Sequence, residues 1–415
     1  MKELRVMCHL GAEVICLANL ADDGRDILFQ YSSEALARNL ELSPLRLPLR
    51  SPAYPNHPAD FARLLRVPGL IFDSLPDSWG FHLMNRRLKA RGIDTNTLSV
   101  LDRLAFLGQN TMGALTYEPA DSEAVDRQDL TLLELAQEIQ TLHHDESHQV
   151  LAELARAGGS PGGARPKALV DYHPGTGQMR TRSAMIAGAE PWLVKFPAKD
   201  DASDSCALEE LYARLARKAE LGMGPTHYFE LAGGLAAFAT GRFDRKQGQR
   251  VHVHSLAGLL HADFQTPSIG YGEFLRATRT LTRDVREVKK ALRYCVFNLL
   301  MNNRDDHAKN LAFLLDETHG WQLAPPFDLT YCPGYRGEHF MDVAGEGKQP
   351  ARSHVLKVAQ DAGLSGKEAA QIIDQLLDQV SAAEIKSMAS ALPIRKATML
   401  EVNRAIAANR KRLCV

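Results

Sequence analysis

The stretch from Asp284 to Leu315 constrains this chain more than any other. Val285, Val288, Leu292, Cys295, Val296 and Leu299 recur at helical spacing. That predicts a helix burying one apolar stripe and ending near Asn302-Asn303. It delivers the chain to Arg304-Asp305-Asp306-His307-Ala308-Lys309-Asn310, where two acids, a histidine, a lysine and an asparagine crowd together. Leu311 to Leu315 then reads as an apolar strand, and Pro326-Phe327-Asp328-Leu329 presents another acid further on. A dense polar block between two core elements is where a scaffold displays chemistry.

Composition narrows the frame. A length of 415 residues suggests two or three structural units. With 45% hydrophobic and 24% charged residues the chain is an ordinary globular one, not a disordered or collagen-like one. The formal net charge of −1 excludes a globally basic nucleic-acid binder. The cysteines at 8, 16, 206, 295, 332 and 414 form no CxxC pair, which fits a reducing cytosol better than a disulfide framework. No apolar leader or spanning run is expected, so the reading is cytoplasmic with no membrane partner.

Along the chain, Leu4 to His9, Val14 to Leu20 and Ile27 to Tyr31 read as strands punctuated by Gly11 and Asp22-Asp23-Gly24. Residues 42 to 58 are proline-rich and irregular. A helix opens after Phe72 to Trp79, with Asp77 or Ser78 as its cap, and runs past Leu88. Leu107 to Tyr117 is a turn entering a strand, and 119 to 128 is a polar, acidic linker. A helix follows from about Leu130 to Leu142. Ala168 to Tyr172, Trp192 to Phe196 and Leu235 to Thr240 read as strands, and Ala207 to Leu221 as a helix. The last stretch is helical, with Ile372, Ile373, Leu376, Leu377 and Val380 in its core.

The 304–310 block and Asp328 suit phosphoryl transfer. One acid can orient an accepting hydroxyl and take its proton, while an asparagine and a second acid hold Mg²⁺. That ion needs few protein ligands, because it keeps waters and binds phosphate oxygens. Asp305 and Asp306 are adjacent, so chemistry alone does not choose between them. Ahead of the block, Gly158, Gly159, Gly162 and Gly163 form a glycine loop whose backbone N–H groups could approach phosphates. A flexible surface turn is the plainer alternative. The loop matches neither GxxxxGK[ST] nor GxGxxG. Lys195 lies inside an apolar strand, where it either meets an anion or snorkels from an edge. Glu209 and Glu210 are its candidate partners.

Taken together, these segments resemble HipA-type toxin kinases. Asn303 to Asn310 resembles their N-x-D-x-H-x-K-N catalytic loop, and Pro326-Phe327-Asp328-Leu329 their metal-binding motif. Ser160 to Lys167 is similar to their S-x-x-G-A-x-x-K loop, and Leu193 to Pro197 to their lysine strand. Gly241 to Arg245 resembles their R-F-D-R hinge, and Phe72 to Asp77 an N-terminal motif. The order is kept from about residue 10 to about residue 345. Gly241 stands where many relatives carry a glutamate, and Pro161 directly follows Ser160.

The resemblance implies an α+β, two-lobed, protein-kinase-like fold with an N-terminal β-rich subdomain and an all-helical C-terminal lobe. Its divisions would be 1–120, a nucleotide-binding lobe at 121–245 and a catalytic lobe at 246–415. It implies an ATP- and Mg²⁺-dependent serine/threonine protein kinase with Asp305 as catalytic base and Asn310 and Asp328 on the metal. Gly162, Gly163, Ala164, Lys195, Gly241, Phe243, His307 and Lys309 would line the nucleotide, and Ser160 would be autophosphorylated. A helix-turn-helix, HipB-like antitoxin is the implied partner, with DNA reached only through it. An aminoacyl-tRNA synthetase is the implied substrate class. Two rival readings are a weakly active co-repressor scaffold and a small-molecule kinase.

Overall fold

The structure is a computed structural model that describes residues 2–55, 64–121, 129–144, 154, 165–181, 188–316 and 320–415. The chain forms two compact units. The first comprises Met1–Ser203, Thr226–His254 and Gly258–His261, and the second Asp204–Pro225, Ser255–Ala257 and Ala262–Val415.

Two larger antiparallel sheets lie in the first unit, beside a short hairpin pairing Arg245–Lys246 with Gln249–Arg250. In one, β1 (Lys2–Leu10), β2 (Glu13–Asp22), β3 (Ile27–Tyr31) and β4 (Leu115–Glu118) lie in the order β3-β2-β1-β4. Alternate residues of β3 are buried, as a half-buried strand requires. The other sheet contains β5 (Lys167–His173), β6 (Gln178–Arg180), β7 (Glu190–Lys195), β8 (Thr226–Leu231) and β9 (Leu235–Gly241), in the order β6-β5-β7-β9-β8. Helix α1 (Ser78–Ala90) starts where Asp77 caps it by accepting the Gly80 N–H at 2.8 Å. Helix α2 (Val100–Leu107) starts with a Ser99/Asp102 capping box that the sequence reading did not find. Leu135 and Ile139 of α3 (Leu132–His144) pack with Trp79, Leu83, Ala168, Val194, Phe196 and Ala239 in one buried cluster. That cluster fixes the strands bearing Lys167 and Lys195.

The second unit is built on helices, with α4 (Ser205–Lys218), α5 (Tyr271–Thr282) and α6 (Val285–Met301) ahead of the polar 304–310 block. A short antiparallel pair, β10 (Ala312–Leu315) and β11 (Trp321–Leu323), follows it. Behind come α7 (Arg352–Asp361), α8 (Gly366–Gln379), α9 (Ala382–Ala389) and α10 (Lys396–Cys414). Val288, Leu292, Cys295, Val296 and Leu299 of α6 are buried as the periodicity requires, but Val285 is 53% exposed. The first turn of α6 faces water, and Asp284 caps it there through the Arg286 N–H at 2.8 Å. The Tyr212 hydroxyl of α4 donates to the Met301 carbonyl at 2.6 Å, satisfying an end group of α6. Asn302 closes α6 in the left-handed region at φ 55°. No helix among the described residues is long and apolar enough to cross a membrane.

Candidate active site

The left-handed turn at Asn302 ends α6 and throws the chain into the polar block. Two contacts hold the turn: the Cys332 N–H donates to the Asn302 carbonyl at 3.1 Å, and the Asn302 side-chain amide to the Cys332 carbonyl at 3.0 Å. The Asn303 side-chain amide donates to Asn298 Oδ1 at 3.1 Å. The entry to the loop is therefore fixed before the acids begin.

The adjacent acids are then told apart. Asp306 is 1% exposed. Its carboxylate accepts the Tyr271 hydroxyl at 2.7 Å, His339 Nδ1 at 2.8 Å and the Phe340 N–H at 2.8 Å. The Tyr271 hydroxyl in turn accepts the Asn298 side-chain amide at 2.9 Å. Burial, and then the Asp306 charge beside it, push the Tyr271 hydroxyl pKa well above its ordinary value, so Tyr271 stays a donor. Asp306 is thus a structural carboxylate that pins the loop to residues 339–340. Asp305, one residue earlier, is exposed. Its backbone carbonyl accepts the Asn310 side-chain amide at 3.1 Å, which closes the loop on itself.

That same bond orients Asn310. Its Nδ2 must face the Asp305 carbonyl, so Oδ1 points the other way, and this oxygen is buried without a hydrogen-bond partner. A buried oxygen acceptor left unsatisfied costs about 1–3 kcal/mol unless a donor or cation meets it. The Tyr294 hydroxyl lies 3.4 Å from the carbonyl oxygens of both Asn310 and Phe327, so it ties the segment before Asp328 to the loop. Asp328 itself holds φ 56°, a left-handed conformation that a non-glycine residue keeps only where its surroundings enforce it. Among the described residues no three His, Cys, Asp or Glu side chains gather to hold a metal. One orphaned amide oxygen and one nearby acid fit a hard cation such as Mg²⁺ that takes its other ligands from water and phosphate. They do not fit zinc.

His307 is 8% exposed and Lys309 2%. The His307 ring meets Phe264 and Phe340 edge-on, each at 5.7 Å, and its Nδ1 is buried without a partner. Lys309 Nζ lies 4.9 Å from the Phe264 ring centre.

In the first unit, Lys195 ends β7, 7% exposed, directly opposite Lys167 of β5 and Phe238 of β9. Lys167 is ion-paired with Asp77, the cap of α1, and both side chains are almost wholly buried. Neither the pair nor its role as a latch on the strand after the glycine loop was legible, because the partners lie 90 residues apart. Ser160, Gly162, Gly163 and Ala164 lie outside the described residues. Of the two candidate glutamates, both in the second unit, Glu210 ion-pairs with Arg214 at 2.7 Å and Arg217 at 3.6 Å on its own helix.

Gly241 closes β9 opposite Trp192, and Phe243 is half-buried. The residue that organises this segment is Asp244, 0% exposed. It binds Arg242 at 2.7 Å, Arg245 at 2.6 Å and the Gly113 N–H at 2.9 Å. Burial alone would raise its carboxyl pKa, but the two guanidiniums outweigh it and hold the group well below the usual carboxylate range. Gly113, at φ 69°, has room for no Cβ without crowding the Val253 N–H at 3.2 Å. The R-F-D-R resemblance pointed to this segment; only the fold shows that its acid is locked.

An acid–histidine–serine set is also present. His254 lies 2.7 Å from Asp73 and 2.9 Å from Ser43. Ser43 and His254 are both 0% exposed, so no substrate reaches the hydroxyl, and the set is a core hydrogen-bond chain.

Known proteins resemble this chain in sequence and in fold. Residues 159–384 match the HipA-like C-terminal domain, and residues 11–118 match the HipA N-terminal domain. A chain from Shewanella oneidensis MR-1, solved as a complex of HipA, HipB and operator DNA of a toxin–antitoxin system, superimposes with a TM-score of 0.71. The match covers 99% of this chain and 96% of that one at 17% identity, which speaks to the fold. The Sinorhizobium fredii protein named "Putative kinase Y4mE" is 27% identical over 264 residues. The alignment takes in 58% of this chain and 59% of that relative, so the chain spans under two thirds of the relative's length. The expected α+β fold with a β-rich N-terminal subdomain is the fold observed; the C-terminal lobe, expected to be all-helical, is mainly helical but also carries the β10–β11 pair, and the chain belongs to the HipA-like C-terminal domain family.

Proposed function

We propose that this protein is an ATP- and Mg²⁺-dependent serine/threonine protein kinase and the toxin of a toxin–antitoxin module. The single observation that carries the reading is the division of labour in the loop: Asp306 is consumed by structure, Asp305 is exposed, and Asn310 Oδ1 is left buried without a donor. Asp305 is assigned to orient the substrate hydroxyl and accept its proton. Asn310 and Asp328 are the residues to hold Mg²⁺, which when bound supplies positive charge to the phosphate oxygens. Lys195 is assigned to the nucleotide phosphates, with Gly162, Gly163, Ala164, His307 and Lys309 beside them. Gly241 and Phe243 are assigned to the adenine. The divisions 1–120, 121–245 and 246–415 are proposed as functional regions of the chain and do not coincide with its two compact units, since Asp204–Pro225 belongs to the second.

Autophosphorylation of Ser160 would place a dianion in a loop that must also cradle phosphates, and so would switch the kinase off. A HipB-like helix-turn-helix antitoxin is the proposed partner, supported by the complex in which the Shewanella HipA was solved. An aminoacyl-tRNA synthetase in the cytoplasm is the proposed target class, on the family resemblance.

Intact mass after incubation with Mg²⁺-ATP tests the reading. One added phosphate on Ser160 is expected in the wild type and in neither Asp305→Gln nor Ser160→Ala. A wild type that starts unmodified, gains no phosphate and binds no ATP would overturn it.

A further inference from the structure

The second unit holds a cavity of about 380 Å³ whose charged lining is entirely basic: Arg304, Lys348 and Arg412, with Asn302, Tyr331, Gln349 and Asn409 as the polar remainder. Arg304 is drawn into it by backbone alone. Its guanidinium donates to the Pro333 carbonyl at 3.3 Å, the Lys348 carbonyl at 3.3 Å and the Gly337 carbonyl. Two glycines make the space. A Cβ on Gly334 would stand 2.9 Å from the Arg304 side chain, and one on Gly337 would stand 3.1 Å from its guanidinium; both glycines have positive φ. Arg412, near the end of α10, donates to Asn409.

Each arginine keeps a buried Nε with no hydrogen-bond partner. Burial, and then the Arg412 charge, lower the pKa of Arg304, as expected where two guanidiniums share one pocket. The acids around the two arginines are engaged: Asp306, whose charge acts on Arg304, is held by Tyr271, His339 and the Phe340 N–H. Glu346 accepts the Lys348 and Gln349 N–H groups at 2.7 and 2.8 Å, and Glu401 accepts the Tyr331 hydroxyl at 3.0 Å. The sequence presents Arg410-Lys411-Arg412 as a basic helix end, yet the members differ. Arg410 caps α8 through the Leu377 carbonyl at 2.8 Å, whereas Arg412 lines the cavity.

We propose that this cavity is a binding site for a phosphate monoester, with Arg304 and Arg412 as paired guanidinium donors and the exposed Lys348 as the third cation. Guanidiniums meet phosphate oxygens in a fork geometry, and a dianion relieves the repulsion that the empty pair carries. The inference concerns binding alone and does not rest on the phosphoryl-transfer reading.

Calorimetric titration of the full chain in phosphate-free buffer tests it, with inorganic phosphate and O-phospho-L-serine as probes and L-serine as control. Both phosphates should bind, and Lys348→Gln and Arg412→Gln should each weaken them by about tenfold or more. Lys411→Gln, an exposed lysine of the same helix end that does not line the cavity, should leave them unchanged. Tighter binding of phosphoserine assigns the site to a phosphorylated side chain, and equal binding assigns it to free phosphate; both outcomes support the site. Should Arg412→Gln fail to fold, Lys348→Gln decides alone, since that side chain is exposed. No binding of either probe at about 10 mM, or binding that survives Lys348→Gln intact, would overturn the proposal.

Discussion

Asp244 and Asp306 have almost the same burial, 0% and 1%, yet they are held in different ways. Asp244 sits between two guanidiniums in the first unit and is a closed ion cluster. Asp306, in the second unit, faces a tyrosine hydroxyl, an imidazole and backbone N–H groups. Arginines neutralise a carboxylate and lock it against reaction. Asp306 is instead held in place by hydrogen bonds from a hydroxyl, an imidazole and backbone N–H groups. A buried acid in a motif is therefore understood from its partners, not from the motif.

The largest effect should come from opening the ion cluster. Asp244→Ala leaves Arg242 and Arg245 buried without their counter-charge, and should cost about 3–5 kcal/mol in urea unfolding. A cost under about 1 kcal/mol would remove the distinction from Asp306. Asp306→Ala should cost less, about 2–4 kcal/mol, because it strands a hydroxyl, an imidazole and an N–H rather than two charges. An equal or larger loss than for Asp244→Ala would reverse the comparison.

Acid sharpens the contrast further. The Asp244 carboxyl titrates lower in the folded chain than in the unfolded one, where its pKa is about 3.9. The unfolded state therefore binds more protons below about pH 4. The cluster's contribution is complete above that pH and erodes as pH falls, by at most about 1.4 kcal/mol per unit. Stability followed from pH 5 downward should lose part of its slope in Asp244→Asn. An identical slope in the variant would show that the cluster is not the group titrating.

Much of the scaffold was legible because it rests on local rules. The strands of the first sheet, the Asp77 cap and the buried stripe of α6 follow from periodicity and end signals. The loop's composition drew attention to residues 304–310, and the resemblance implied Asp305 as the base. What stayed hidden depends on residues brought together by the fold. Tyr271 and His339 lie 35 and 33 residues from Asp306, and Gly113 lies 131 from Asp244. No spacing rule links such positions. The exposure of Val285 was missed because a stripe does not reveal where the covering layer stops.

The account turns on two neighbouring aspartates with separate duties. The direct test is to prepare Asp305→Asn and Asp306→Asn, then measure phosphate transfer from Mg²⁺-ATP and urea unfolding on the same samples. Asp305→Asn should lose about 10²–10⁴ in transfer rate while its stability stays within about 0.5 kcal/mol of wild type. Asp306→Asn should be measurably destabilised. Full transfer activity in Asp305→Asn, or unfolding of Asp305→Asn to the same degree as Asp306→Asn, would contradict the assignment.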